Sequence, residues 1–229
     1  MPAKKNFESV TVPILNEADY RNYLEALLDG DQGPCQQTVD AMLKKEQSIR
    51  TLYEDVFQRS LYEVGNLWER GRISVADEHL ATAMTESLLS RVYPRLFKMP
   101  RAGHSAVVSC IADEYHQLGG KMVADIFEMH GWNSYFLGAN TPVRELLKLV
   151  EKKQPDVVAL SITLHSGMST LIDAIEALRA RFQDTEIWVS GQAFHWGGKN
   201  RLFPIPNVYL LNSLVELESR ITHWGKADE

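Results

Sequence analysis

Apolar side chains in the first 98 residues recur at intervals of three and four, the spacing of a helix with one buried stripe. Asn16 predicts an N-cap, followed by Tyr20, Leu24, Leu27 and Leu28, with Gly30 as a stop. A second helix is expected from Pro34 to Lys45. A third starts near Ser48 and carries Ile49, Leu52, Val56, Phe57, Leu61, Val64 and Leu67, ending at Gly71. Ser74 predicts the cap of a fourth, with Leu80, Met84, Leu88, Leu89 and Val92 on one face. Four helices with short connections predict a four-helix bundle over residues 15–98.

The period changes after the connector Met99–His104. Ser105–Ile111 is a short apolar run rich in β-formers, as are Ser134–Leu137, Asp156–Ile162, Glu186–Ser190 and Asn207–Leu211. Helical patterns at 120–130, 142–153 and 167–182 lie between them. Strands alternating with helices predict a Rossmann-like parallel sheet, covered on both faces, over residues 104–229. The expected fold class is therefore α plus α/β, a helical bundle followed by a parallel-sheet domain. Ligands in such sheets bind at the carboxyl ends of the strands, where the strand order reverses. That singles out the loops after residues 111, 162 and 190.

Composition narrows the function. The 229 residues are 45% hydrophobic and 24% charged, as in ordinary globular proteins. A net charge of −6 disfavours a general nucleic-acid binder. No apolar run approaches the about 20 residues that span a bilayer. The first ten residues hold a basic pair without an apolar stretch, so no leader is expected. Cys35 and Cys110 have no metal-binding spacing and read as reduced packing thiols of a cytoplasmic protein.

The first of the three loops reads Asp113-Glu-Tyr-His-Gln-Leu-Gly119, with Gly120 after it. A histidine at the mouth of a parallel sheet can offer a ring nitrogen to a metal. Glu114, two residues earlier, can hold the other ring N–H, fixing the tautomer and raising the basicity of the ligand nitrogen. Gly119 and Gly120 let backbone approach a bulky group. By itself a lone loop histidine is more often a surface residue.

Its spacing to the other loops gives it a context. The domain reads E-x-H-x-x-G, then 41 residues, then Ser161-Ile-Thr163, then 27 residues, then Gly191-Gln192. This resembles the cobalamin-binding family, with its D-x-H-x-x-G, S-x-L and G-G elements at nearly these intervals. The resemblance implies that His116 replaces the cofactor's own base on cobalt, as the lower axial ligand. Glu114 would orient His116. Gln117, Gly119, Ser161, Thr163, Gly191 and Gln192 would surround the displaced nucleotide tail. Glu114, Thr163 and Gln192 stand where the family usually has Asp, Leu and Gly.

The helical half extends the resemblance. Trp68 is followed by nine residues and then Glu78-His79. This W-x9-EH pattern resembles cobalamin-dependent light-sensing repressors, whose bundle caps the upper cobalt face around a 5′-deoxyadenosyl group. An indole can fill space beside that group, and a carboxylate can accept from ribose hydroxyls. The resemblance implies an adenosylcobalamin photoreceptor module and not an enzyme. Its output would be self-association or binding of a downstream signalling protein. Direct DNA binding is not expected, because only about fifteen residues precede the first helix. Glu69 stands where those repressors carry a histidine after the tryptophan, so a second axial histidine would have to be another residue, such as His79 or His165. A stand-alone sensor of the photocobilin kind would add a bilin such as biliverdin, with His165, His195 and Trp196 near its edge. The alternative is a corrinoid methyl carrier serving partner methyltransferases.

Overall fold

The computed structural model describes residues 15–45, 48–202 and 204–225. The N-terminal stretch read for a leader lies outside them. The chain forms two compact units, one ending at Ser90 and one starting at Arg91.

The first unit is helical. It contains α1 (Glu17–Leu28), α2 (Gln32–Lys44), α3 (Ile49–Leu52), a π-helical segment Tyr53–Gln58 running into α4 (Arg59–Glu69), and α5 (Val75–Leu89). The caps sit where the sequence puts them. Asn16 Oδ1 accepts from the Asp19 N–H at 2.9 Å, and Ser74 and Asp77 form a reciprocal capping box. The apolar stripes pack α1 on α2 and α5, and α4 on α5. Tyr23, Leu27, Val39, Leu52, Tyr53, Val56, Phe57 and Val64 are buried between them. The π segment is a difference from the regular period expected of the third helix. Arg59 N–H donates to Glu54 O, five residues back, which widens the turn.

The second unit opens with a short helix, α6 (Tyr93–Leu96), inside the stretch read as bundle; it packs on α7 of the sheet unit. Then follow β1 (Ser105–Cys110), α7 (Leu118–Met129), β2 (Asn133–Phe136), α8 (Val143–Lys153), β3 (Val157–Ser161), α9 (Met168–Arg181), β4 (Glu186–Ser190), β5 (Val208–Leu210) and α10 (Leu214–Thr222). All strand pairs are parallel, in the order β2-β1-β3-β4-β5.

Side-chain alternation divides the core into two layers. Val107, Val158, Leu160, Ile187 and Val189 pack with Leu146 and Val150 of α8 and with Leu171, Ile172 and Ile175 of α9. On the opposite face, Phe127 of α7 stacks on Trp188 at 5.5 Å, and Trp132 and Trp224 complete an aromatic cluster. The Trp188 indole N–H is not left unpaired: it donates to Glu186 at 2.7 Å.

Candidate functional site

The strand order reverses between β1 and β3. β1 runs on to β2 on one side, and the chain then returns to β3 on the other, which opens a crevice at their carboxyl ends. Register aligns the exits. Cys110 pairs with Ser161, and Ser161 pairs with Ser190. The three loops singled out from the sequence therefore leave the sheet side by side.

The loop after β1 is held by its own backbone and by Asn140 from the β2–α8 loop. Asp113 takes a left-handed φ of 64°, and its N–H donates to Asn140 Oδ1 at 2.8 Å. The Asn140 N–H donates to Glu114 O at 2.8 Å, and its amide also donates to the Tyr115 hydroxyl. Sequence reasoning missed Asn140; its one signal was that Asn tolerates the left-handed φ of 49° found there.

This loop turns the Glu114 side chain inward and the His116 ring outward. Glu114 is 3% exposed. Its Oε1 accepts from the His116 backbone N–H at 2.9 Å and lies 2.6 Å from His116 Nδ1. Its Oε2 accepts from the Thr163 N–H at 2.6 Å and the Leu164 N–H at 3.2 Å. Burial pushes this carboxyl up, but the hydrogen bonds from His116 and Thr163 outweigh it and hold its pKa below the ordinary value. An ionised carboxylate only accepts, so Nδ1 carries a proton and the lone pair of the neutral ring is on Nε2. The His116 side chain is about half exposed, at 47%.

Ser161 and the glycines lie beside this pair. Ser161, the last residue of β3, is 5% exposed. A Cβ on Gly119 would meet only Ser161 Oγ, at 3.8 Å. Protein packing thus places no demand for glycine there. Gly120 is different. A Cβ on it would lie 3.2 Å from Phe136 and 3.3 Å from Cys110 Sγ, so it lets α7 approach the sheet. Gly191 differs more, because its φ is 130° and a Cβ would fall 1.9 Å from Ile162 O. The chain's own crossing of the β3 and β4 loops requires that glycine. Gln117 precedes α7 and points its amide at Gly138. Thr163 takes part through its backbone N–H, and Gln192 begins a 3-10 turn, Gln192–Trp196.

The rim of the crevice is apolar and exposed. Tyr115, Leu164 and Trp196 are 67%, 45% and 72% exposed, one from each of the loops after β1, β3 and β4. His165 is on the same edge, with Nδ1 3.4 Å from Ala193 O. Burial pushes the Cys110 thiol, behind the His116 loop, up to about 12. It is a packing residue.

In the helical unit, Trp68 is the penultimate residue of α4, and Glu78 lies in the first turn of α5 with His79 just after it. Trp68 is 45% exposed. Glu78 lies 2.6 Å from His79 Nδ1 and accepts from the Thr82 hydroxyl at 2.9 Å. As a carboxylate in a first turn it also complements the helix dipole.

The residues of the sheet unit fit a corrinoid on three observations. The half-exposed His116 ring is held through Nδ1 by the buried Glu114 carboxylate, so a metal ligand there would be Nε2. The buried Ser161 hydroxyl lies beside a glycine that packing does not require. The apolar rim suits a large flat group.

The comparisons agree. Two family profiles, both described as B12 binding domain, match residues 20–93 and 104–200. The HTH-type transcriptional repressor CarA of Myxococcus xanthus is 38% identical over 111 residues, which are 48% of this chain and 38% of CarA. CarH of the same organism is 27% identical over 165 residues, 71% of this chain and 54% of CarH. The chain thus spans about half or less of those repressors. Trimethylamine corrinoid protein 1 of Methanosarcina acetivorans is 21% identical over 158 residues, 68% of this chain and 73% of its own length. The fold is that of the Methanosarcina barkeri monomethylamine corrinoid protein, with a TM-score of 0.77 at 12% identity, covering 90% of this chain and 97% of the other. Both of its domains place this chain in the B12-binding domain family.

Proposed function

We propose that the chain is a light-responsive signalling module that binds adenosylcobalamin through His116. The observation that carries this is the buried Glu114 carboxylate on His116 Nδ1, an arrangement in which Nε2 would be the nitrogen offered to cobalt. Bound adenosylcobalamin supplies a cobalt–carbon bond that visible light breaks. In this reading Ser161 and Gly119 receive the displaced base, and Thr163, Gly191 and Gln192 shape the loops around it. Trp68, Glu78 and His79 serve the adenosyl group. The output is a change in conformation or self-association, or binding of a signalling partner. Support for the adenosyl form comes from the likeness to the two repressors and from the W-x9-EH pattern. A bilin as second chromophore rests on the resemblance to photocobilins alone.

A second reading, a methyl carrier for partner methyltransferases, draws on the likeness to the trimethylamine corrinoid protein. One experiment separates them. The protein is loaded in the dark with adenosyl- or methylcobalamin, and absorption and molecular size are recorded before and after illumination. The sensor reading expects adenosylcobalamin to be preferred and light to change both records. Preference for methylcobalamin, with no light-dependent change in size, favours the carrier. Binding of neither refutes both.

A further inference from the structure

The Glu114 carboxylate divides its two oxygens between two loops. Oε1 takes both the backbone and ring N–H groups of His116, in the β1–α7 loop. Oε2 takes two consecutive backbone N–H groups, Thr163 and Leu164, in the β3–α9 loop. These loops are separated by almost fifty residues and meet only because β1 and β3 are neighbours. The second loop is linked onward, since His165 Nδ1 approaches Ala193 O and the Ala193 N–H donates to Ile162 O. A continuous set of polar contacts thus runs from His116 through Glu114 to the loop after β4.

We propose that Glu114 is a positioning residue that fastens the axial-histidine loop to the β3–α9 loop, so that ligation of His116 also orders Thr163 and Leu164. The proposal rests on His116 being the cobalt ligand. The length of the glutamate matters. An aspartate at this position would be shorter by one carbon–carbon bond, about 1.5 Å. Held against His116, two residues away, its carboxylate would fall short of the Thr163 and Leu164 amides. With it in place, the exposed Leu164 and His165 report on the state of His116, and by linkage the order of their loop feeds back on ligation. The change on ligation therefore emerges at the rim of the sheet, on a loop that does not itself hold the metal.

The test is amide hydrogen exchange on wild type, Glu114→Asp and Glu114→Gln, without cofactor and with hydroxocobalamin. Without cofactor, Glu114→Asp should exchange the Thr163 and Leu164 amides about tenfold faster than wild type, while the amides of β1 and β3 keep their protection. Glu114→Gln, with a single acceptor oxygen, should also loosen one of the two loops, and it serves if the aspartate variant does not fold. Loading should slow these amides in wild type. The aspartate variant should keep the histidine-ligated absorption spectrum without that slowing. Unchanged exchange at both amides in both variants overturns the clamp. Slowing of equal size in wild type and Glu114→Asp overturns the coupling. If hydroxocobalamin does not bind wild type, the ligand reading fails and the coupling with it, while the cofactor-free comparison still decides whether the clamp exists.

Discussion

The two units treat their candidate residues differently. In the sheet unit, residues far apart in sequence are joined by hydrogen bonds: Glu114 connects His116 to Thr163 and Leu164. In the helical unit, Glu78 bonds to His79 and Thr82, one and four residues away on the same helix. The first arrangement depends on tertiary structure and is organised before any ligand arrives. The second is local to one helical turn, with the His79 side chain 75% exposed. Preorganised donors give affinity and geometry, whereas local, adaptable ones select among ligands. The lower site should therefore govern whether cobalamin binds, and the helical residues which upper ligand is preferred.

The glycines test the lower half most severely. Gly191→Ala puts a Cβ against Ile162 O at a left-handed φ. It should destabilise the fold by about 3 kcal/mol, read as a lowered urea midpoint. Gly119→Leu should leave that midpoint within about 1 kcal/mol of wild type. It should nonetheless weaken cobalamin binding at least tenfold, because the side chain enters space beside Ser161. Equal effects of the two substitutions on stability would erase the distinction between a fold glycine and a ligand glycine.

Trp68→Ala should have a smaller effect. With 45% of the residue exposed, its loss should change stability by less than about 1 kcal/mol. Lower-face binding should persist, and the preference for adenosyl- over methylcobalamin should fall severalfold in a competition titration. A variant that no longer binds either would make Trp68 part of the lower site's machinery, against the division drawn here.

The smallest effect concerns the thiols. Burial raises Cys35 to about 11 and Cys110 to about 12. Folded protein at pH 8 should therefore react with a thiol reagent only slowly, and both cysteines should react on unfolding. Because the folded values lie above the ordinary 9.0, the unfolded chain loses thiol protons first, and stability should decline as pH rises past about 9. Rapid labelling of native Cys110 would mean that the His116 loop opens readily.

Much of the architecture was legible in the sequence because hydrophobic period reports burial directly. The strand expected at 186–190 has those limits, and β3 falls one residue inside its expected span at each end. Two short helices were not legible. α6 has four residues, too few for a period, and α10 follows a three-residue strand with little to mark where one ends and the other begins. The π segment was hidden as well, since a widened turn keeps apolar residues near the same face. At the site, spacing identified the three loops and the Glu114–His116 pair. It could not show the clamp on Thr163 and Leu164, because a backbone N–H donor has no residue type. Nor could it separate Gly191, required by the fold, from Gly119, which packing does not require.

The central claim is that His116 is bound to cobalt. The most direct measurement is the electron paramagnetic resonance spectrum of protein loaded with cob(II)alamin, prepared with ordinary and with 15N-labelled histidine. A histidine nitrogen on cobalt predicts that the three-line superhyperfine splitting becomes two-line in the labelled sample, and that the effect is absent in His116→Ala. A three-line pattern that persists with labelled histidine would leave the cofactor's own base on the metal and contradict the account.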